Sequence, residues 1–525
     1  MEILTNEQMA QADKITIEEF ELPSIVLMEN AAKSLFQVFQ SLEIPTNKNI
    51  ALIIGKGNNG GDGLALSRYL IEYGYNTTIY ILAKKDELKG NPLHYYKYLT
   101  HQPSKLIHLN ESSISNVNFF EYDIIFDGIF GTGLSRPAEG FYKIIIEKIN
   151  QSKATIISID IPSGLSGNTS SIIGEHIYAD YTITFCRPKI VHTMYPSRKY
   201  CGTIYVTDIS IPDNAVTKTT PNLFLIDKDN LPIIKKRELD AHKGHFGHTV
   251  IIGGSLGKTG AAILASMSAS RIGAGLTTCV IPKKLNKIIK STLIEQMSFP
   301  VGNKDYFTKE EAQEVINFIS DKSVVAIGPG IGRNENTGNF VKEIIKNSNK
   351  PLVIDADGLN LLDKEILKDG YLRNRAILTP HIGEFSRLIK KTKDNILSNK
   401  VELAQDFATR YQLILVLKSA DTLIATPDGT CYINIEGSPS LSKGGSGDCL
   451  TGMIAGFISQ GYSLKDSAIL STFIMGKTAK YLSSKYNENT ILTKDIINNL
   501  WVILNEITLY QREYRGYKKD SIKVI

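Results

Sequence analysis

The amino-acid sequence predicts two successive α/β halves, and three observations carry that expectation. Short apolar runs alternate with helical patterns along the whole chain, as βαβ units and mainly parallel sheets require. A polar stretch with two prolines, residues 211–222, interrupts the alternation once. No unit of about 20–50 residues repeats, so the halves are different folds and not copies. With 525 residues, 42% of them hydrophobic and 22% charged, the chain can build about two to four domains with sizeable cores.

Element by element, the first half opens with two helical stretches, 6–19 and 24–41. The second places Ile25, Met28, Ala32, Leu35, Phe36 and Phe39 on one face, which reads as an internal core face rather than a surface for another copy. Strands follow at 50–54, 77–82, 122–127, 155–160, 181–185 and 203–209. The second half restarts with strands at 250–252, 277–281, 324–327, 352–355, 376–379, 413–418 and 422–426. Long helical patterns then run from Asp448 to about residue 505. The tail, 511–525, is basic with interleaved tyrosines and reads as a solvated end.

Composition excludes several function classes. The formal charge of +5 is mild for this length and does not suggest a nucleic-acid binder. Five cysteines without a C-x-x-C pair argue against a disulfide scaffold or structural zinc, and for a reducing, cytoplasmic setting. No run approaches 18 uncharged apolar residues, so no membrane span is expected. The first residues carry early charge and no apolar core, so no secretory signal is expected there. A homo-oligomer is the expected assembly.

In the first half, the strand 50–54 runs into Gly55-Lys56-Gly57-Asn58-Asn59-Gly60-Gly61-Asp62-Gly63, with a helix expected from about Leu64. A glycine-rich strand-to-helix turn brings backbone N–H groups to a phosphate, but the spacing is neither G-x-G-x-x-G nor a Walker motif. Asn58, Asn59 and Asp62 crowd oxygens there, which suits a ribose, an amide or a cation. Asp127 leads into Gly128-Ile129-Phe130-Gly131-Thr132-Gly133-Leu134-Ser135-Arg136-Pro137, and Asp160 into Ile161-Pro162-Ser163-Gly164. Oxygen-rich ends of parallel strands converge on one crevice in such sheets.

These motifs, with Met9, Asp13, Leu27-Met28-Glu29-Asn30 and Lys189, resemble the YjeF N-terminal family, the NAD(P)H-hydrate epimerases, over roughly residues 1–212. The resemblance implies a Rossmann-like three-layer domain, here 1–215. It implies that hydrated nicotinamide nucleotide is bound by Asn58–Asp62, by Gly131, Thr132, Gly133, Leu134, Ser135, Arg136 and Pro137, by Tyr142 and by Asp160. It also implies a potassium ion near Asn59, Asp127 and Ser163. Inverting C6 requires its hydroxyl to leave with help from N1 and water to return on the other face. Asp160 is the expected proton donor and acceptor, with Lys189 as its charge partner.

In the second half, His242, His245 and His248 recur at steps of three, but Gly244 and Gly247 interrupt them and the pattern does not read as a metal site. Gly257-Lys258-Thr259 imitates the end of a P-loop, yet the loop is one residue short. The stronger signal is Ser442-Lys443-Gly444-Gly445-Ser446-Gly447-Asp448, expected to open a helix at about 449–460. Glycines at a helix start supply N–H groups to a transferring phosphoryl group, and the aspartate there can take a proton from an attacking hydroxyl. Upstream, Lys418-Ser419-Ala420-Asp421-Thr422 puts polar groups at another strand end.

With His242-Lys243-Gly244, Gly328-Pro329-Gly330-Ile331-Gly332, Asp355-Ala356-Asp357 and Leu378-Thr379-Pro380-His381, this set resembles the ribokinase-like YjeF C-terminal family, the ADP- or ATP-dependent NAD(P)H-hydrate dehydratases. The expected domain is 225–510. The resemblance implies an adenine-nucleotide site from Lys418–Thr422, Ser438, Ser442, Lys443, Gly444, Gly445, Ser446 and Gly447, with magnesium on the phosphates. It implies that Ala261, Gly332, His381 and Asp448 line the hydrate site, with NADH hydrate and NADPH hydrate as substrates. Two rival readings are a ribokinase-like kinase for a small alcohol and a first half that serves only as a scaffold. Intact Asn59, Asp127, Asp160 and Ser163 argue against the scaffold.

Overall fold

The apolar runs become the central strands of two sheets in the computed structural model, which describes residues 1–134 and 136–521, the side chains of Lys364 and of residues 514–521 excepted. The chain divides into two compact units, Met1–Leu223 and Phe224–Ile525. The division falls just past the proline-containing stretch. That stretch is not bare linker, because Asp213–Lys218 forms a helix that buries Ala215 and Val216 in the first unit's core. Among the described residues no helix is long and apolar enough to cross a membrane. All five cysteines are buried and unpaired.

The first unit holds β1 (Asn49–Ile54), β2 (Asn76–Ile81), β3 (Lys105–His108), β4 (Ile124–Gly128), β5 (Thr155–Ile159), β6 (Tyr181–Phe185) and β7 (Thr203–Thr207). They pair in parallel in the order β3-β2-β1-β4-β5-β6-β7, the arrangement of a Rossmann-like domain. The order reverses between β1 and β4, so the crevice beyond their carboxyl ends is the natural ligand position. Helices cover both faces. Leu27, Met28, Ala31, Ala32, Leu35, Phe36 and Phe39 of the helix Ser24–Ser41 lie buried in one core, which confirms the internal face. Ile145, Ile146 and Ile149 of Gly140–Gln151 serve the other core.

The helix after β1 begins at Asn58, not near Leu64, and runs to Glu72. Glycine weakens a helix by about 1 kcal/mol per residue relative to alanine, so the glycine-rich turn reads locally as loop. Close backbone packing overrides that preference. A Cβ on Gly60 would stand 2.1 Å from the Gly55 carbonyl oxygen.

The second unit holds β8 (Leu223–Leu225), β9 (His248–Ile252), β10 (Leu276–Pro282), β11 (Met297–Val301), β12 (Val324–Ile327), β13 (Leu352–Ile354), β14 (Ala376–Leu378), β15 (Ile414–Leu417), β16 (Thr422–Ala425) and β17 (Cys431–Asn434). The order is β11-β10-β9-β12-β13-β14-β15-β16-β17-β8. It is parallel from β11 to β15 and antiparallel across β15-β16-β17. The helix Ser446–Ser459 is buried along nearly its whole length against Thr259–Arg271 and the sheet. The final helix, Thr493–Ser521, extends well beyond residue 505 and takes up most of the basic tail.

Gly60→Ala is expected to destabilise the protein by about 1–3 kcal/mol or more, because the new methyl meets backbone rather than a yielding side chain. A denaturant midpoint measures it. Gly57→Ala, with nothing within 4 Å of the new atom, is the control with the smaller loss.

Candidate active sites

In the first unit the ends of β1, β4 and β5 meet around buried Asp127. Its Oδ2 accepts from Ser158 Oγ (2.9 Å) and Ser163 N–H (2.8 Å), and its Oδ1 from Ser163 Oγ (2.5 Å) and Ile129 N–H (3.3 Å). Burial raises its pKa and those hydrogen bonds oppose the rise; burial prevails. Asn59 joins the same knot, its Nδ2 donating to Phe130 O (2.7 Å) while Ser163 Oγ accepts from Phe130 N–H (2.9 Å). Asn59 Oδ1 is buried and has no hydrogen-bond partner among the described residues. The structure thus brings Asn59, Asp127 and Ser163 together.

Asp160 follows β5 in the left-handed region (φ 63°). Its Oδ1 accepts from Lys189 Nζ (2.7 Å) and Thr184 Oγ1 (2.8 Å), while Oδ2 has no partner among the described residues. Lys189 is fully buried, and its three donors go to Asp160, Thr184 Oγ1 (2.9 Å) and Phe185 O (3.2 Å). Lys189 N–H donates to His192 Nδ1 (3.0 Å), so His192 Nε2 carries the proton and donates to Asp160 O (2.9 Å). Burial and the neighbouring ammonium push His192 down to about 3, which keeps it neutral. Burial alone would raise Asp160, but Lys189 outweighs it and holds the carboxyl below its ordinary range.

The other carboxylates of the cluster respond in the opposite sense. Asp62 is buried, and burial together with Asp160 and Asp13 raises it well above its usual value. Asp13 is pushed up to about 6 by burial, with Lys189 opposing and Asp160 adding. One ammonium therefore serves three carboxyl groups, and Asp160 holds it. Asp13 belongs to the motif set, but nothing in its sequence context reveals this charge state.

The remaining epimerase-site residues are placed as follows. Asn58 is exposed on the first helical turn. The Gly131–Leu134 loop is fastened by Asn6 Nδ2 donating to Thr132 O (2.6 Å). Pro137 abuts Gly174, and Tyr142 packs on Phe130 with centroids 4.9 Å apart. Arg136 closes the loop, and Ser135 lies outside the described residues.

In the second unit, Gly445 in the left-handed region caps the helix Ser446–Ser459, and Asp448 sits in its first turn. Ser446 Oγ there is buried and unpartnered. Lys418 Nζ lies 3.0 Å from where a Gly447 Cβ would stand, so an ammonium adjoins the positive end of the helix. Lys418 is held by Asp355, whose Oδ1 accepts from Lys418 Nζ (2.7 Å) and Thr379 Oγ1 (2.8 Å) and whose Oδ2 accepts from Thr451 Oγ1 (2.9 Å). These partners outweigh burial and keep Asp355 ionised. Asp448 is pushed up to about 7 by burial, then by Asp355, with Asp357 and Glu384 adding and Lys418 opposing.

A cleft of about 360 Å³ opens on Asp448, lined also by Lys258, Gly260, Ala261, Gly330, Arg333, Ala356, Asp357 and Glu384. Ala261 and Asp448 line it as expected. Gly332 and His381 are not among the residues that line it, though each contacts one that does. Gly332 N–H donates to Asp357 (3.3 Å), and His381 caps the helix Ile382–Ile389 beside Glu384.

Several expected nucleotide contacts have side chains engaged elsewhere. Lys443 Nζ donates to Asn489 O (2.6 Å) and Ile491 O (2.7 Å), and Ser438 Oγ bonds Ser483 Oγ (2.6 Å). Ser419 and Asp421 turn toward Lys400, a buried lysine absent from the sequence reading. Its Nζ donates to Ser419 Oγ (2.6 Å), Asp421 O (2.9 Å) and Asp421 Oδ1 (2.7 Å). Thr422 Oγ1 donates to Ser419 O (3.0 Å). These side chains set the shape of the loop around Ala420, and they engage the backbone carbonyls of Ser419 and Asp421 as well. Among the described residues no cluster of His, Cys, Asp and Glu forms a metal site. His242 and His245 face each other with centroids 3.8 Å apart, and His248 bonds Thr278.

The fold and the two sites define an α/β protein with two clusters of buried carboxyl and ammonium groups, one of them at a glycine-capped helix start. Residues 24–191 match the family described as YjeF-related protein N-terminus, and residues 249–501 match NAD(P)H-hydrate dehydratase. The chain is 34% identical over 523 residues to the bifunctional NAD(P)H-hydrate repair enzyme Nnr of Moorella thermoacetica, covering 97% of each chain. It is 36% identical over 518 residues to that of Dictyoglomus turgidum, covering 97% of this chain and 99% of the relative. The chain belongs to the bifunctional NAD(P)H-hydrate repair enzyme family. Among solved structures, an ADP/ATP-dependent NAD(P)H-hydrate dehydratase from Bacillus subtilis is 26% identical, covering 53% of this chain and 99% of that one, with a TM-score of 0.45.

Two outcomes follow from the buried charges. Asp448 has a folded pKa of about 7 against an ordinary 3.8, so its protonated form favours the fold and that stability is lost between about pH 4 and just above pH 7. The interval is worth about 4 kcal/mol, so Asp448→Asn is expected to be more stable than wild type at pH 8 and similar at pH 4, measured by denaturant titration. Lys400→Met leaves Asp421 without its buried ammonium and is expected to cost about 3–5 kcal/mol by the same measurement.

Proposed function

We propose that the first unit interconverts the R and S forms of NADH hydrate and NADPH hydrate, and that the second dehydrates the S form at the expense of ADP or ATP, with Asp160 and Asp448 as the two working carboxylates. The observation that carries this reading is Asp448. It is a carboxyl tuned to about 7, in the first turn of a glycine-capped helix and beside Lys418. A general base is most effective when its pKa lies near the working pH.

In the dehydratase, ionised Asp448 takes the proton of the C6 hydroxyl as that oxygen attacks the terminal phosphoryl group of the nucleotide. The Gly445–Gly447 N–H groups and Lys418 stabilise the charge on the transferring group. Phosphate then leaves C6 with electrons supplied by N1, and loss of a C5 proton restores the dihydronicotinamide. Magnesium would be held on the phosphates of the nucleotide, where it would add positive charge, and Glu384 is the cleft carboxylate bound neither to Lys258 nor to Arg333 that would offer it a hard oxygen.

In the epimerase, Asp160 starts ionised because Lys189 is bound to it. The hydroxyl must leave first, with N1 pushing, and the proton it needs is assigned to Asp62, whose burial favours the protonated form. Ionised Asp160 then accepts, through Oδ2, a proton from the water that adds to C6 on the other face. Lys189, with all three donors committed, positions Asp160 and does not transfer protons itself.

The donor set fits a potassium ion. Asn59 Oδ1 is a buried oxygen without a partner, and Asp127 is a buried carboxyl with hydrogen bonds but no cation. Asn59, Asp127 and Ser163 would hold the ion, which would supply positive charge toward the phosphates of the substrate. The proposed setting is the cytoplasm, which five buried unpaired thiols support, and the proposed assembly is a homo-oligomer, checked by light scattering.

Recovery of dihydronicotinamide absorbance from mixed-epimer hydrate, with ADP, ATP or neither, tests the pair of activities. Wild type is expected to recover nearly all of it, at a rate that rises with pH through about 7. Asp448→Asn is expected to abolish recovery while epimers still interconvert. Asp160→Asn is expected to slow interconversion by about 10²–10⁴ and leave dehydration of the S form intact. Loss of both activities in either variant contradicts the two-site assignment.

A further inference from the structure

Lys258 and Arg333 line the same cleft as Asp448, and the mechanism above uses neither. Both are bound to one carboxylate. Asp357 Oδ1 accepts from Arg333 Nε (2.5 Å), and its Oδ2 accepts from Lys258 Nζ (3.0 Å) and Gly332 N–H (3.3 Å). Asp357 has a side chain 9% exposed, whereas Lys258 and Arg333 are 53% and 58% exposed. Among the described residues the guanidinium commits only Nε, so both terminal nitrogens remain available, as do two of the ammonium's three donors. Two cations thus meet on one anion at this wall of the cleft, with Glu384 and Asp448 as its other carboxyl groups.

The local backbone is built to produce this arrangement. Ala356, just before Asp357, holds a φ of 50°, a region a non-glycine residue adopts only where its surroundings fix it. Gly330 has a φ of 62°, and a Cβ there would stand 2.4 Å from Lys258 O. The Gly330 turn and the Lys258 loop can pack this closely only with glycine at that position. Exposed ion pairs by themselves contribute little to stability, which does not account for a strained residue that aims the shared carboxylate.

We propose that Lys258 and Arg333, splinted by Asp357, form a phosphate clamp that holds the dinucleotide hydrate in the dehydratase cleft. The proposal rests on reading this cleft as the hydrate site. A volume near the low end of the ~300–1,000 Å³ of small-molecule sites suits the nicotinamide half of a dinucleotide, with its phosphates meeting the rim. Arg333 offers the paired donors that a phosphate accepts, and Lys258 adds a point charge. The nucleotide has its own anion hole at Gly445–Gly447, so the clamp serves the other substrate.

Steady-state kinetics of the full-length protein test this, with purified S-form NADH hydrate and NADPH hydrate and with the nucleotide varied separately. Arg333→Ala and Lys258→Ala are each expected to raise KM for hydrate about tenfold or more. kcat should stay within about threefold and KM for the nucleotide within about twofold. Arg333→Lys should recover part of the loss. Equal factors for both hydrates assign the shared pyrophosphate, and a larger factor for NADPH hydrate assigns its extra phosphate. The clamp is overturned if KM for hydrate stays within twofold in both variants, or if the nucleotide's KM rises instead. Wild type that turns over no hydrate would remove the reading of the cleft itself and the clamp with it.

Discussion

In each unit a single ammonium is shared among more carboxyl groups than it can neutralise, and the chemistry of both sites depends on which of them it binds. Lys189 is bound to Asp160, and Asp62 and Asp13 are left to rise. Lys418 is bound to Asp355, and Asp448 is left to rise to about 7. A buried carboxyl with a cation stays ionised and one without stays protonated until the pH forces it, so pairing sorts chemically identical groups into acids and bases. The sheets make that sorting possible, because parallel strands that end together bring aspartates from distant stretches of sequence into one crevice.

The sorting also explains which parts of the site were legible in the sequence. Asp160, Asp127, Asp448 and Lys418 stand at the ends of apolar runs, and periodicity placed those runs correctly. The motif residues were therefore visible before the fold was. Their charge states were not, because these depend on Lys189, Lys418 and Asp355 through space rather than along the chain. Lys400 is the clearest case. In KVELAQDFATRY it reads as one more solvated lysine, yet its ammonium is the centre around which Ser419 and Asp421 turn. Lys443 errs the other way, since a lysine within a glycine-rich turn reads as a phosphate ligand and instead fastens the loop to Asn489 and Ile491.

The fold was legible where burial is two-sided and less so at edges. Central strands such as β1, β12 and β15 are continuous apolar runs buried on both faces. The strands that escaped notice include the sheet-edge strands β3 and β11, partly exposed and interrupted by charge or proline, and the short pair β8 and β17 at the far side of the second sheet. The helix start at Asn58 escaped for a different reason. Its glycines are poor helix formers, and the close packing they allow, of Gly60 on the Gly55 carbonyl and of Gly61 on Met28 and Pro92, is set in three dimensions and not by local preference.

The charge arrangement sets function against stability. Asp448 and Asp62 each have a protonated form that suits the fold and an ionised form that does not, so either one would be replaced by a neutral residue if stability alone decided. The surrounding structure adds to this cost instead of relieving it, since Asp355, Asp357 and Glu384 all push Asp448 upward when any could have been neutral. At Asp355 the reason is local. Its charge holds Lys418 beside Gly447, where a phosphoryl group would lie, and the same charge raises Asp448 to a pKa from which it can take a proton near neutrality. One buried aspartate thus fixes both the cation and the base. The phosphate-binding and proton-accepting halves of the site cannot be tuned independently of each other.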